Sequence, residues 1–290
     1  MAELSDLQDA TPRIDEPTAA LPADRSGREF AERAGWPEKP ASMPSYREAL
    51  PGQLVMVPGL GLGGQLFYPQ RRAYSQAIVT PDWPEPRDNE ALSDYARRWA
   101  ETIQPTLDDN QPLFLAGASF GGLIALEMAE VLAPRATFLI GSARSHHALP
   151  LRLQIANRAV GALPDGALKF LLPKLAVAFC CREGMDDRSF GLVRRMVRDA
   201  DPAFVRWAMN AAHDWDFEGP LSDRQKPVYQ IHGRDDWVLP PRAEDCDHLV
   251  PTHKHLINVS HAQTINRYLA DHCWAHVSES DNPGPRYRYY

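Results

Sequence analysis

Three short stretches of the chain carry side chains suited to covalent chemistry: GASFG at 117–121, DD at 235–236, and PTHKHLINVSH at 251–261. Ser119 follows the apolar run PLFLAGA and precedes the helical run FGGLIALEMAEVLA, so it stands where a strand turns sharply into a helix. Such a turn leaves no room for side chains two residues away on either side, and Gly117 and Gly121 meet that demand. The turn lifts the serine Oγ clear of the sheet. It also leaves the backbone N–H of Phe120, at the start of the helix, free to donate to a developing oxyanion. A serine hydroxyl is a weak nucleophile until a base takes its proton, and an imidazole oriented by a carboxylate can act as that base.

For a serine on a strand-to-helix turn the order expected along the chain is Ser, acid, His. Asp235 and Asp236 follow the apolar run PVYQIHG and are the candidate acids; His232, inside that run, reads as a packed strand-end residue. Of the three histidines, His253 and His255 lie on the loop after the run DHLVP, at the sheet edge where the serine turn and the acid loop are expected. His261 falls in the first turn of a last helix that has Ser260 as N-cap and Ile265, Tyr268, Leu269 and Cys273 as its inward stripe. Two other chemistries compete. Zinc held by His253, His255 and His261 would need an HExxH-type pairing or a matching carboxylate, and neither is present. Gly59, Gly61 and Gly64 spell GxGxxG after a strand, with Asp82 at the distance of a ribose-binding acid. A helix starting on those glycines would be interrupted at Pro69, and a dinucleotide site leaves the serine turn unexplained.

The elements that position these residues alternate in type. Apolar runs at 53–57, 76–80, 112–118, 136–142, 227–233 and 247–251 read as strands. Between them, Leu92, Tyr95, Ala96, Trp99 and Ile103 make a helical stripe, with Ser93 or Asn89 as its cap, and a second helix from Phe120 ends at Pro134. Apolar runs alternating with helices predict an α/β class with a mostly parallel sheet covered on both faces. Residues 144–226 break the alternation. They hold no convincing strand, only helical stretches such as RSFGLVRRMVRDA and, after the Asp201-Pro202 start signal, PAFVRWAMNAAHD.

Residues 144–226 are therefore expected to form a helical cap inserted into a core of 51–143 and 227–277, between an acidic, proline-bearing flexible arm (1–50) and a tail (278–290). GREFAERAGW within the arm suggests a short docked helix. The insertion carries a net charge of +3 and the remainder −10, so Arg194, Arg195, Arg198 and Arg206 either solvate outer helix faces or meet an anionic group of a substrate. Phe170, Leu171, Leu172, Phe179, Phe204, Trp207 and Met209 are candidates for its inner face. A net charge of −7 without a lysine-rich block disfavours nucleic acid as a partner and favours a small molecule. No apolar run is long enough for a membrane span and no secretory h-region is seen, so a cytoplasmic location is expected. Cys180, Cys181, Cys246 and Cys273 have no framework spacing and read as reduced thiols.

From about Leu54 to Leu269 the chain resembles the α/β-hydrolase family. VMVPGLGLGG stands where that family has the loop bearing its second oxyanion donor, with Pro58 in place of a common histidine, which implies the backbone N–H of Leu60. HGRDDWVLP is similar to the family's HGxxDxxxP, with His232, Gly233, Asp236 and Pro240 in the fixed positions, which implies Asp236 as the acid. DHLVPTHKHLINVSH resembles a Gly-His-Leu-Ile-Asn stretch of a subset of the family; the Gly-His pair falls on Lys254-His255, which implies His255 as base and leaves His261 as the alternative. The resemblance implies a serine hydrolase, of carboxylic ester type, that cleaves a small-molecule acyl ester or thioester through an acyl-enzyme, with no cofactor and no metal. Cofactor-free lyase or oxygenase chemistry on the same fold, and a non-catalytic binding protein, are the competing classes. Substrate identity and oligomeric state are left open by the sequence.

Overall fold

The computed structural model describes residues 49–217, 227–242 and 244–277. The expected arm up to residue 48, its helix on GREFAERAGW, and the tail from 278 lie outside the described residues, as do 218–226 of the insertion. Leu50, just ahead of the first strand, is buried in the core.

In chain order the elements are β1 (Gln53–Val57), α1 (Tyr68–Ala73), β2 (Ile78–Val79), α2 (Leu92–Ile103), β3 (Leu113–Ala118), α3 (Phe120–Leu132) and β4 (Thr137–Ile140). They continue with α4 (Leu151–Gly161), α5 (Asp165–Glu183), α6 (Asp187–Asp199), α7 (Pro202–Asp214), β5 (Val228–Gly233), β6 (His248–Val250), α8 (Ile257–Ser260) and α9 (Ala262–Ala275). Among the described residues the strands pair in parallel, in the order β2-β1-β3-β4-β5-β6. The chain starts in β1, moves out to β2, then returns to β3 on the other side of β1, so the loops after β1 and β3 diverge at the carboxyl edge of the sheet.

Burial on both faces explains why the strands read as continuous apolar runs. Successive side chains alternate: Leu54, Met56, Phe114 and Phe138 pack on one face with Ile265 and Leu269 of α9, while Val55, Val57, Leu115 and Leu139 pack on the other with α2 and α3. The stripe read from the sequence of α2, Leu92, Tyr95, Ala96, Trp99 and Ile103, is buried throughout. Its cap differs from expectation: the N-cap is Ala91 and no side chain caps it. The start of α2 is held instead by Glu90, whose carboxylate accepts two hydrogen bonds from Arg98 at 2.8 and 2.7 Å.

Four helices, α4 to α7, occupy the described part of the insertion between β4 and β5. The Asp201 start signal acts as read, since its carboxylate accepts from the N–H of Ala203 at 3.0 Å. Helix α5 runs through Pro173, which has no backbone N–H to give to the helix. Phe170, expected on the inner face, is 68% exposed, with the Lys174 ammonium over its ring. The last helix also starts differently. Ser260 closes the short helix α8, its Oγ donating back to the carbonyl of Leu256 at 3.1 Å, and the break falls at His261, the N-cap position of α9.

Phe138 is fully buried at the centre of the sheet, among Phe114, Tyr229 and Tyr268. Phe138→Ala is expected to lower stability by about 3–5 kcal/mol, read as a fall in the urea midpoint at unchanged m-value.

Candidate active site

The serine turn is built by backbone strain and by the absence of Cβ atoms around it. Ser119 has φ 51° and ψ −124°, a region that side-chain-bearing residues rarely adopt and that costs on the order of 1–3 kcal/mol. The strand before and the helix after over-determine it: Ser119 N–H donates to the carbonyl of Ile140 at 3.0 Å, and its own carbonyl accepts from Gly122 N–H at 2.9 Å and from Ser142 Oγ at 2.7 Å. A Cβ on Gly117 would fall on the backbone of Gly121, and one on Gly121 would fall on the carbonyls of Val57 and Pro58. The two glycines that bracket Ser119 are therefore demanded by β1 and by the turn itself, as the sequence spacing suggested.

His255, on the loop after β6, is 5% exposed and reaches both partners. Its Nε2 lies 2.9 Å from Ser119 Oγ and its Nδ1 lies 2.7 Å from Asp236 Oδ2. Asp236, 2% exposed on the loop after β5, uses its other oxygen to accept from the N–H groups of Val238 and Leu239 at 2.8 and 3.0 Å. Two backbone donors and one imidazole thus hold a buried carboxylate in one orientation. Asp235 is exposed, and its N–H donates to the carbonyl of Thr252. His253 is exposed, and the hydrogen bond of His261 is to its neighbour Ser260 Oγ at 3.0 Å; burial holds its imidazole below the ordinary value. The structure brings Ser119, Asp236 and His255 together and leaves His253 and His261 outside that chain of contacts.

The loop Pro58 to Gly63 lies beside the serine. An ideal Cβ at Gly59 would sit 3.7 Å from Ser119 Cβ, and one at Gly61, where φ is +66°, 3.7 Å from Ala200 and Val205 of the insertion. Leu60 therefore stands between the serine turn and the cap. Phe120 opens α3, whose first N–H groups have no carbonyl inside the helix to accept them. The glycines of GxGxxG lead into a 3-10 turn at Gly64–Phe67 and then into the short α1, where Pro69 occupies the first turn.

A cavity of about 690 Å³ opens on this loop, lined by Gly61, Leu62, Trp83, Met196, Arg195 and Phe204 among others. Ser119, Asp236 and His255 do not line it; Gly61, Leu62 and Gly63, just after Leu60, do. Of the basic residues of the cap, Arg195 borders this cavity, while Arg198 and Arg206 pair with Asp199 and Asp165.

Two residues with no assigned role in the sequence reading support the site. Glu183, at the end of α5, is 1% exposed and accepts from His255 N–H, Leu256 N–H and Trp237 Nε1. Asn258 is 1% exposed and donates to the carbonyl of Leu66 at 3.2 Å, while Gln70 donates to its carbonyl at 2.9 Å. The signal for Glu183 was local: an acid in the last turn of a helix, just before Gly184, opposes the helix dipole and needs partners from elsewhere.

His232 is buried as expected. Its Nε2 lies 3.1 Å from the carbonyl of Ser142, which makes that nitrogen the donor and leaves Nδ1 without a proton, 3.5 Å from Asp236 Oδ2. Burial, the largest effect, pushes its pKa down to about 4. Between pH 6.5 and about 4 the unfolded chain takes up a proton that the folded chain refuses. The stabilising contribution of the neutral imidazole is complete above that window and is lost as pH falls through it, at up to about 1.4 kcal/mol per pH unit. His232→Gln is expected to flatten the slope of urea stability across that window, and an unchanged slope would contradict a buried neutral His232.

A family model described as the alpha/beta hydrolase family matches residues 54–282. A comparison with curated proteins finds no match. Among solved structures, the fold is similar to that of the esterase EaEST from Exiguobacterium antarcticum, with a TM-score of 0.62 at 16% identity, over 77% of this chain and 93% of that one. It is also similar to a thermophilic esterase from Thermogutta terrifontis, with a TM-score of 0.60 at 14% identity, over 78% and 90% of the two chains. A thioesterase from the prodiginine biosynthetic pathway in Streptomyces coelicolor aligns with a TM-score of 0.53 at 20% identity, over 84% and 99%.

Proposed function

The chain belongs to the alpha/beta hydrolase family, and from that premise we propose that it is a serine hydrolase cleaving a small-molecule acyl ester or thioester through an acyl-enzyme. The observation that carries this reading is the single imidazole of His255 lying within hydrogen-bond reach of both Ser119 Oγ and Asp236. In this reading Ser119 Oγ attacks the acyl carbonyl while His255 Nε2 takes its proton. Asp236 keeps the proton of His255 on Nδ1 and stabilises the imidazolium that forms. The backbone N–H groups of Phe120 and Leu60 donate to the oxyanion, and His255 returns the proton to the leaving alcohol or thiol. Water then attacks the acyl-serine by the same route, its proton going to His255 and then back to Ser119 as the acid departs.

The cavity beside the Leu60 loop is the proposed seat for the organic part of the substrate. Trp83, Leu62, Met196 and Phe204 give it an apolar part, and its charged lining is mixed, with Arg195 beside Glu85, Asp199 and Asp201. Esterases and a thioesterase among proteins of the same fold agree with an acyl substrate. The residues named act without a cofactor or metal in this scheme.

Labelling by a fluorophosphonate probe tests it. Wild type is expected to be modified at Ser119, and Ser119→Ala to abolish modification. Ser119→Ala and His255→Ala are each expected to lower kcat on p-nitrophenyl esters by at least about 10⁴-fold, while His261→Ala stays near wild type. Loss of labelling in His261→Ala with retention in His255→Ala would move the base to the other histidine; an unlabelled wild type would remove the serine-hydrolase reading.

A further inference from the structure

We propose that Glu183, a residue of the helical insertion, is a positioning residue for His255: its buried carboxylate clamps the histidine loop and the acid loop to the cap, so that the base is aligned only while α5 is seated. The inference rests on the reading of His255 as the base.

The contacts are specific. One carboxylate oxygen accepts from Trp237 Nε1 at 2.7 Å, and the pair accepts from the His255 N–H at 3.1 and 3.0 Å and from the Leu256 N–H at 3.1 Å. Trp237 directly follows Asp236, so one cap side chain grips the residue after the acid and the backbone of the base itself. All the donors are N–H groups, and none of the contacts asks Glu183 to donate. Among the described residues no Lys or Arg pairs with it, and its charge lies in the last turn of α5, where the helix dipole opposes it. A surface-facing acid would do better at that position. The burial of Glu183 is accounted for by the three N–H donors, two of which belong to the histidine loop.

The neighbouring side chains extend the joint. The Phe179 ring, one turn earlier on α5, stands edge-on to the His255 imidazole at 6.4 Å and packs on Trp237 at 5.6 Å. The Arg182 guanidinium covers the Trp237 ring at 4.5 Å. Directly after the loop, Asn258 of α8 donates to the carbonyl of Leu66 and so ties the chain to the core. His255 is therefore held from below by the core and from above by the insertion, and displacement of α5 frees the upper half of that grip. Glu183→Gln keeps the length and removes the charge, and it turns an NH₂ group toward N–H donors, so at least one of the three contacts becomes repulsive.

The test measures three things on wild type and on Glu183→Gln: fluorophosphonate labelling rate, kcat and KM on p-nitrophenyl butyrate, and amide hydrogen exchange across residues 252–258. Expected for Glu183→Gln is a loss of roughly 10- to 100-fold in labelling rate and kcat, as for a reacting group displaced by about 1 Å, with KM unchanged. Exchange at His255 and Leu256 rises while the β3–α3 segment keeps its protection. A folded variant that labels and turns over at the wild-type rate overturns the proposal. Should Glu183→Gln not fold, wild-type exchange still decides: strong protection at His255 and Leu256 supports the clamp, and exchange as fast as at the exposed His253 refutes it. A wild type that stays unlabelled removes the serine-hydrolase reading, while the exchange data continue to report on the clamp by themselves.

Discussion

A parallel strand can be followed by another only if the chain crosses back over the sheet, and among the described residues every strand pairing is parallel. All strands then end at the same edge, and the loops after β1, β3, β5 and β6 emerge there together. Those four loops carry the Leu60 backbone, Ser119, Asp236 and His255, and His255 lies within hydrogen-bond reach of Ser119, 136 positions away, and of Asp236, 19 positions away. The crossovers have to cover both faces of the sheet, which is why the strands are mostly apolar, with Gln53, Thr137, Gln230 and His232 as their buried polar residues.

At that edge the backbone carries strain and the side chains carry buried charge, and each is stabilised by its surroundings. The positive φ of Ser119 persists because β3 is locked between β1 and β4 and because Gly117, Gly121 and Gly122 let the turn pack against β1 and Ser142. Asp236 and Glu183 are both nearly inaccessible to solvent, and each is satisfied by three N–H donors from other residues. His232 is neutral by burial and presents a bare nitrogen to Asp236, so His255 is the imidazole that donates to this carboxylate.

The insertion touches both the cavity and the histidine loop. Its helices α6 and α7 wall the cavity beside the Leu60 loop, and α5 reaches the histidine loop through Glu183. In the proposed reading, pocket shape and base alignment are properties of the same segment, and two of its arginines, Arg198 and Arg206, pair with the local acids Asp199 and Asp165.

Local patterns in the chain were enough to specify the α/β class, the strands, the stripe of α2 and the serine turn, because each depends on residues within one or two turns or on steric demands next to the residue itself. The acid also came from a local spacing, His232 to Pro240, read through family resemblance. The choice between His255 and His261 depended on that resemblance and on where the last helix begins. Ser260 looked like a cap for that helix, but its hydroxyl bonds backward to Leu256, and only the packed loop reveals the break at His261. Helix α5, which runs through Pro173, was not picked out in the sequence. Glu183 was legible only as an acid at an unfavourable helix end. Its partners lie 54 to 73 residues away, and a contact of that range is set by how the cap seats on the sheet, which no local periodicity encodes.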